Sequence, residues 1–111
     1  MEIIGMIVGL CIILIVVIAL LNRNKNNQPI AVPNRTITLD ELTMNDGRNG
    51  NNAYIAIDNI VFDVSGSKHW ENGEHHGAMA GRDITEAFRK SHHNDKMLRK
   101  MKAVGRLEIN E

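Results

Sequence analysis

Residues 53–65 read AYIAIDNIVFDVS, and this stretch decides the fold more than any other part of the chain. Its two halves, Tyr54–Ile57 and Ile60–Val64, are rich in the β-branched and aromatic residues that strands favour. The Asp58-Asn59 pair between them is a turn signal. The sequence therefore predicts a β-hairpin, and the other elements of the domain can be placed outward from it.

Two helices and a closing strand are predicted downstream of this hairpin. Residues 83–86, Asp-Ile-Thr-Glu, fit a capping box that begins a helix running to about Ser91. A second helix is predicted at about Asp95–Met101, and Val104–Ile109 is predicted as the last strand. Because strands and helices mix without a repeating βαβ pattern, the predicted fold class is α+β.

The N-terminal part of the chain differs from the rest. From Ile3 to Leu21 there are 19 residues without a charged side chain. As a helix this run would span about 28 Å, close to the hydrocarbon thickness of a bilayer. Residues 22–35 are rich in Asn, contain both prolines and are predicted to be a linker. We therefore expect a transmembrane anchor over residues 1–21, then the linker, and a folded domain over residues 36–111.

Charges around the apolar run predict its orientation. No Lys or Arg precedes the run, whereas Arg23 and Lys25 follow it, so the positive-inside rule places the domain in the cytoplasm. A retained anchor is favoured over a cleaved signal peptide, because no small-x-small cleavage site follows. We expect a single-pass protein of the cell membrane that contacts lipid through residues 3–21.

The composition excludes several classes of function. The formal net charge is zero, which gives no reason to expect a nucleic-acid partner. Cys11 is the single cysteine, so a disulfide or zinc-thiolate framework within one chain is excluded. No Cys-x-x-Cys-His occurs, which excludes covalent c-type haem. With two Phe, one Tyr and one Trp, the core is small, and a bound cofactor would help to fill it.

All five histidines lie between residues 69 and 93. One pair, His75-His76, precedes the first predicted helix of the domain, and the other, His92-His93, follows it. Neutral imidazole is a good ligand for iron, copper, nickel or zinc, so one member of each pair could bind a metal together. For any one of them alone, surface exposure is the simpler interpretation. Between the pairs lie apolar residues that suit a large, flat hydrophobic ligand: Ala78, Met79, Ala80, Ile84, Ala87 and Phe88.

Several motifs resemble those of one known family. The hairpin at 53–65, the segment WENGEHHG at 70–77 and the segment AGRDITEAF at 80–88 are similar to elements of cytochrome b5-like haem-binding domains. The closing VGRLE at 104–108 resembles the Val-Gly-x-Leu of the same family. The resemblance is to the small prokaryotic members, which are related to membrane-associated progesterone-receptor-type proteins. It extends from about Thr38 to Glu108.

The resemblance implies a non-covalent haem b with a histidine on each face of the iron. When the family's motif is carried over onto this chain, one axial ligand falls on His93, ten residues after Asp83. The other is His75, which opens the His-x-Gly element. The usual Pro is missing and the following segment is short, so His76, which aligns with the Tyr ligand of the progesterone-receptor-type proteins, is the alternative to His75. The remaining expected haem contacts are Phe88, Met79, Ile84 and Met97.

Two axial histidines would leave no iron position for oxygen or a substrate. The resemblance therefore implies a one-electron carrier rather than an enzyme, with a membrane-bound redox protein as partner. Glu71 and Glu74, near the first ligand, could steer a basic partner. Two alternatives stay open: a haem-binding adaptor or haem chaperone of the progesterone-receptor type without electron transfer, and a zinc-binding interaction module built on the His pairs.

Overall fold

The computed structural model describes residues 2–26, 29–92 and 95–109. Side chains are described at 8–20, 29–92 and 96–109. In chain order the elements are α1 (Glu2–Asn26), β1 (Thr36–Ile37), α2 (Leu39–Met44), β2 (Tyr54–Ile57), β3 (Ile60–Asp63), a 3-10 segment (Lys68–Gly73), β4 (Glu74–His75), β5 (Ala78–Met79), β6 (Arg82–Asp83), α3 (Thr85–Lys90), α4 (Asp95–Leu98) and β7 (Lys102–Leu107).

The predicted hairpin is confirmed. Strands β2 and β3 pair antiparallel, with Ile57 opposite Ile60. The two residues between them, Asp58 and Asn59, have φ values of 50° and 64°. Positive φ at both central residues is typical of the type I′ turn, whose twist matches that of the flanking strands.

The hairpin forms the middle of a mixed sheet with the strand order β1-β7-β3-β2-β6. Strand β7 runs antiparallel to β3 and parallel to β1, and β6 runs parallel to β2. Because side chains alternate along a strand, the sheet buries two clusters. Ile55, Ile57 and Phe62 belong to one cluster, and Tyr54 and Val61 to the other. The α+β class is confirmed, and the first cluster lies beneath α3 and α4.

The capping box predicted at residues 83–86 is wrong. Helix α3 begins at Thr85, and its N-cap residue, Ile84, makes no side-chain capping bond. The Asp83 carboxylate instead accepts hydrogen bonds from the Thr85 N–H at 3.0 Å and from the Thr85 hydroxyl at 2.5 Å. Asp83 thus makes a local turn with Thr85 and not the bond to the Glu86 N–H that a capping box requires.

The C-terminal elements differ in their bounds from the prediction. Helix α4 ends at Leu98, and β7 already begins at Lys102. Ala103 pairs with Phe62, and Lys102 pairs with Asp63 at the end of β3. Pairing with β3 thus extends the strand to Lys102 and Ala103, two residue types that favour a helix.

The first helix is observed over the predicted apolar run. The described side chains of α1, from Val8 to Leu20, are apolar and largely exposed. Within the described residues, no helix is both long enough and apolar enough to cross a membrane. The predicted transmembrane helix is therefore not supported.

Candidate functional site

A cavity of about 880 Å³ lies over one face of the sheet. Ile55 and Ile57 of β2 form its floor, and residues of α3, α4 and the 67–78 segment form its walls. Both isoleucines are 1% exposed. The volume is within the range of roughly 300–1,000 Å³ that is usual for cofactor sites. The fold therefore provides one large apolar site above the core of the domain.

Helices α3 and α4 contribute apolar walls. Ile84, Ala87 and Phe88 are spaced three and four residues apart, which brings them to one side of α3, and all three line the cavity. Met97 and Met101 line it from the other helix and the turn after it. The structure thus brings together Ile84, Phe88 and Met97 of the predicted contacts. Helix α3 contains no fully buried residue, because this apolar side faces the cavity rather than a filled core.

The β4–β5 hairpin carries the predicted first ligand. His75 pairs with Ala78, and Glu74 pairs with Met79. The two residues that join the strands, His76 and Gly77, have φ values of 46° and 85°, again typical of a type I′ turn. Cross-strand partners share one face of a hairpin, and both His75 and Ala78 line the cavity.

Met79 is not among the residues that line the cavity. Successive side chains of a strand point to opposite faces, so Met79 and its partner Glu74 lie on the face turned away from Ala78 and His75. The predicted contact through Met79 was drawn from its apolar character alone. The sequence does not reveal a strand of two residues, and therefore does not show on which side Met79 lies.

Aromatic rings surround His75. Its centroid lies 5.2 Å from that of Trp70, 5.7 Å from that of His69 and 4.4 Å from that of His76. All four rings line the cavity. The His75 side chain is half-buried, whereas His76 and His69 are exposed. We call these four residues, His69, Trp70, His75 and His76, the aromatic wall.

The sequence prediction missed His69 and Trp70 as parts of the site. A signal was present, because Trp70 is the first residue of the segment WENGEHHG and His69 directly precedes it. The predicted second ligand, His93, lies outside the described residues. Its neighbour His92 is exposed, with a φ of 61°.

The charged residues that line the cavity are distinct from the glutamates near the first ligand. The charged residues that line the cavity are Asp63, Lys100 and Lys102, among the residues with described side chains. Glu71 and Glu74 are exposed and do not line it. The charged part of the lining is thus mainly basic, and the two glutamates lie apart from it.

Asp46 supports the backbone that carries the aromatic wall. Its carbonyl oxygen contacts Gly73, the last residue of the 3-10 segment, where a Cβ would clash. Its carboxylate accepts hydrogen bonds from the Arg48 N–H at 3.0 Å and from the Asn51 side-chain amide at 3.2 Å. These bonds, the one from Arg48 first, hold the pKa of Asp46 below its usual value. The hydrogen bonds thus favour the ionised form of Asp46.

The residues present fit a haem group better than a bare metal ion. Among the residues the structure describes, no group of three or more His, Cys, Asp or Glu side chains is arranged to bind a metal ion. The cavity is instead wide and mostly apolar, with imidazoles on one wall. Imidazole is an axial ligand of haem iron, and apolar walls suit its flat macrocycle.

These observations define a class of protein: an α+β domain with a large apolar, histidine-bearing cavity over a mixed sheet. Residues 38–108 match the family described as the cytochrome b5-like Heme/Steroid binding domain. The chain belongs to this family. Membership and the fit of the cavity together indicate that the domain binds haem.

Solved structures include similar proteins from archaea. A cytochrome b5 domain protein from Hadesarchaea is 40% identical, with a TM-score of 0.62, and the match covers 67% of this chain and 99% of that chain. A cytochrome b5 domain protein from Methanococcoides burtonii is 33% identical, with a TM-score of 0.62, and the match covers 67% of this chain and 97% of that chain. Comparison with curated proteins gives no significant match.

Proposed function

We propose that the protein is a membrane-anchored b-type haem protein that carries one electron at a time and is not an enzyme. The observation that carries the proposal is the position of His75. Its half-buried ring lines a cavity of about 880 Å³ together with the apolar side chains of Ile55 and Phe88. An imidazole in an apolar cavity of cofactor size is an arrangement that suits haem binding.

His75 and His93 are the proposed axial ligands. Burial of the His75 ring against Trp70 restricts its rotamers, whereas His76 is exposed in the turn, so His75 is favoured over His76. The choice of His93 rests on the sequence, because this residue follows Asp83 of the Ala-Gly-x-Asp motif by ten positions.

A bound haem would supply an iron that takes up and releases one electron reversibly. If His75 and His93 both hold the iron, no coordination position would remain for oxygen or a substrate. The apolar side chains of Ile57, Ile84 and Phe88 line the cavity and would shield a bound haem from water. The chain's own contribution is thus to hold, orient and shield the group, which is the work of a carrier.

Membrane anchoring is proposed from α1. Its described side chains are apolar on every side and exposed, for example Leu10 at 65% and Ile13 at 62%. A helix that is apolar all round is suited to lipid or to the interior of a large protein. Arg23 and Lys25 after the run favour a cytoplasmic haem domain. The electron partner is then a redox protein of the same membrane, and no nucleic acid is involved.

Single alanine variants of the full chain, loaded with haem in neutral detergent, test the ligand assignment. We expect wild type to give a six-coordinate low-spin spectrum. His75→Ala and His93→Ala should lose the low-spin spectrum and most of the haem, since each removes an iron ligand. The neighbouring replacements His76→Ala and His92→Ala serve as matched controls and should be nearly native.

Exchanged results for His75 and His76 would contradict the choice of His75. Native spectra for both single variants would mean that the two neighbours substitute for each other, and the unique assignment would be wrong. A protein that binds haem but cannot be reduced and reoxidised without losing it would favour the adaptor or chaperone function over the carrier.

A further inference from the structure

The aromatic wall surrounds the proposed ligand with rings from a separate segment of the chain. His69 and Trp70 belong to the 3-10 segment, whereas His75 lies on β4. The His75 ring lies edge-on to His69, at an interplanar angle of 80°, and tilted by 40° against the Trp70 indole. The rings of His69 and Trp70 therefore contact the His75 imidazole from two directions.

Backbone hydrogen bonds hold both sides of this cluster. The Ser67 hydroxyl accepts from the His69 N–H at 3.3 Å, and the Ser67 carbonyl accepts from the Trp70 N–H at 3.0 Å. At the other end of the segment, the Ala80 N–H donates to the Gly73 carbonyl at 2.7 Å. The rings are thus carried by hydrogen-bonded backbone on both sides.

Trp70 borders two spaces. It lines the large cavity and also a smaller pocket of about 230 Å³, whose lining includes polar residues such as Asn51 and Asn72. Ser65, Gly66 and Ser67 line both spaces as well. Replacement of the half-buried Trp70 ring would therefore change both the packing and the polarity of the surroundings of His75.

We propose that Trp70 and His69 are positioning residues that fix the ring plane of His75 and thereby set the ligand geometry and the redox potential of the iron. The inference rests on the proposed function, since it requires His75 to be an axial ligand. Hydrogen-bond partners of a metal-bound histidine orient it, with about 10- to 100-fold effects on affinity or activity, and the apolar shell around a site tunes the redox potential. We expect ring contacts to act on His75 in the same two ways. Trp70 supplies the larger ring, 5.2 Å away between centroids, while His69 restricts rotation through its near-perpendicular contact.

The test compares full-length variants loaded with haem in neutral detergent. Trp70→Leu and His69→Ala should still bind haem, but we expect a changed and broadened low-spin electron paramagnetic resonance signal, a shifted midpoint potential, and haem loss that is roughly tenfold faster. Trp70→Phe keeps an aromatic ring and should restore the native signal in large part. Lys68→Ala is the matched control, because Lys68 belongs to the same segment but does not line the large cavity.

Native resonance signals and potentials in both Trp70→Leu and His69→Ala would overturn the inference, even if the variants were less stable. His69 is exposed, so its replacement should leave folding intact, and this variant decides the matter if Trp70→Leu does not fold. A wild-type chain that takes up no haem would instead refute the proposed function, and this result is distinct from native signals in loaded variants.

Discussion

At Gly81 the chain needs a residue without a side chain for two reasons. Its φ is 82°, and a Cβ would lie 3.2 Å from both the Thr43 carbonyl oxygen and the Asp46 Cβ. The residue follows Ala80, which is buried in the core beneath the cavity. The Ala-Gly motif thus holds the strand before α3 close to the segment that ends α2.

We predict that Gly81→Ala destabilises the protein more than Gly50→Ala does. Gly50 is a matched control, since it has the same φ of 82° but no atom within 4 Å of the position that a Cβ would take. The left-handed backbone alone costs about 1–2 kcal/mol for alanine, and crowding at Gly81 adds roughly 1–3 kcal/mol. Urea denaturation of the full chain in detergent measures both values. Equal losses of unfolding free energy would show that the contacts at Gly81 relax without cost.

At the level of elements, the β4–β5 hairpin decides which residues face the cavity. Its two residue pairs lie on opposite faces, with Ala78 lining the cavity and Met79 outside it. Ala78 therefore lies on the same side of the hairpin as the proposed ligand and Met79 on the other side, although both residues are apolar and half-buried.

We predict that Ala78→Phe lowers the affinity for haem by about tenfold or more, because the added ring occupies space on the cavity side; tenfold corresponds to about 1.4 kcal/mol. Met79→Phe, the same new side chain on the opposite face, should bind haem like wild type. Haem titration followed by absorbance measures both affinities. An equal loss in the two variants would contradict the register of this hairpin.

The sequence predicts some of these elements better than others. The hairpin at 53–65 has strong local signals, namely β-branched runs and a turn pair, and its prediction is confirmed by the pairing of β2 with β3. Strands of two residues, such as β4 and β5, carry no periodic signal and exist through tertiary contacts. The capping-box prediction is wrong because the Asp83 carboxylate bonds to Thr85 in a turn, which the residue types alone do not reveal. The candidate site followed mainly from the family motifs, which contain His75, His76 and Trp70 but do not show that these rings pack against one another.

At the level of the whole molecule, an apolar helix precedes a polar domain. The haem domain shows mixed charge on its surface, whereas the described side chains of α1 present exposed apolar groups such as Leu14 and Ile15. Transfer of such groups out of water is favourable by about 25 cal/mol per Å² of buried apolar surface.

We predict that the full chain stays in the membrane fraction after a high-salt wash, because salt screens charge contacts but does not weaken apolar burial. A variant that begins at Pro29 should be released. Protease added to intact cells should leave the domain uncut if it faces the cytoplasm. Extraction of the full chain by salt would contradict the anchor, and digestion in intact cells would contradict the orientation.

The central claim is that the cavity over β2 binds haem through His75. The most direct measurement is the absorption spectrum of the full chain purified with haem supplied, followed by thermal unfolding with and without haem. We expect a low-spin b-type spectrum and a clear rise in melting temperature, since a ligand at a thousandfold excess over its Kd adds about 4 kcal/mol to the stability of the folded state. A colourless protein, or one that melts at the same temperature with and without haem, would contradict the claim.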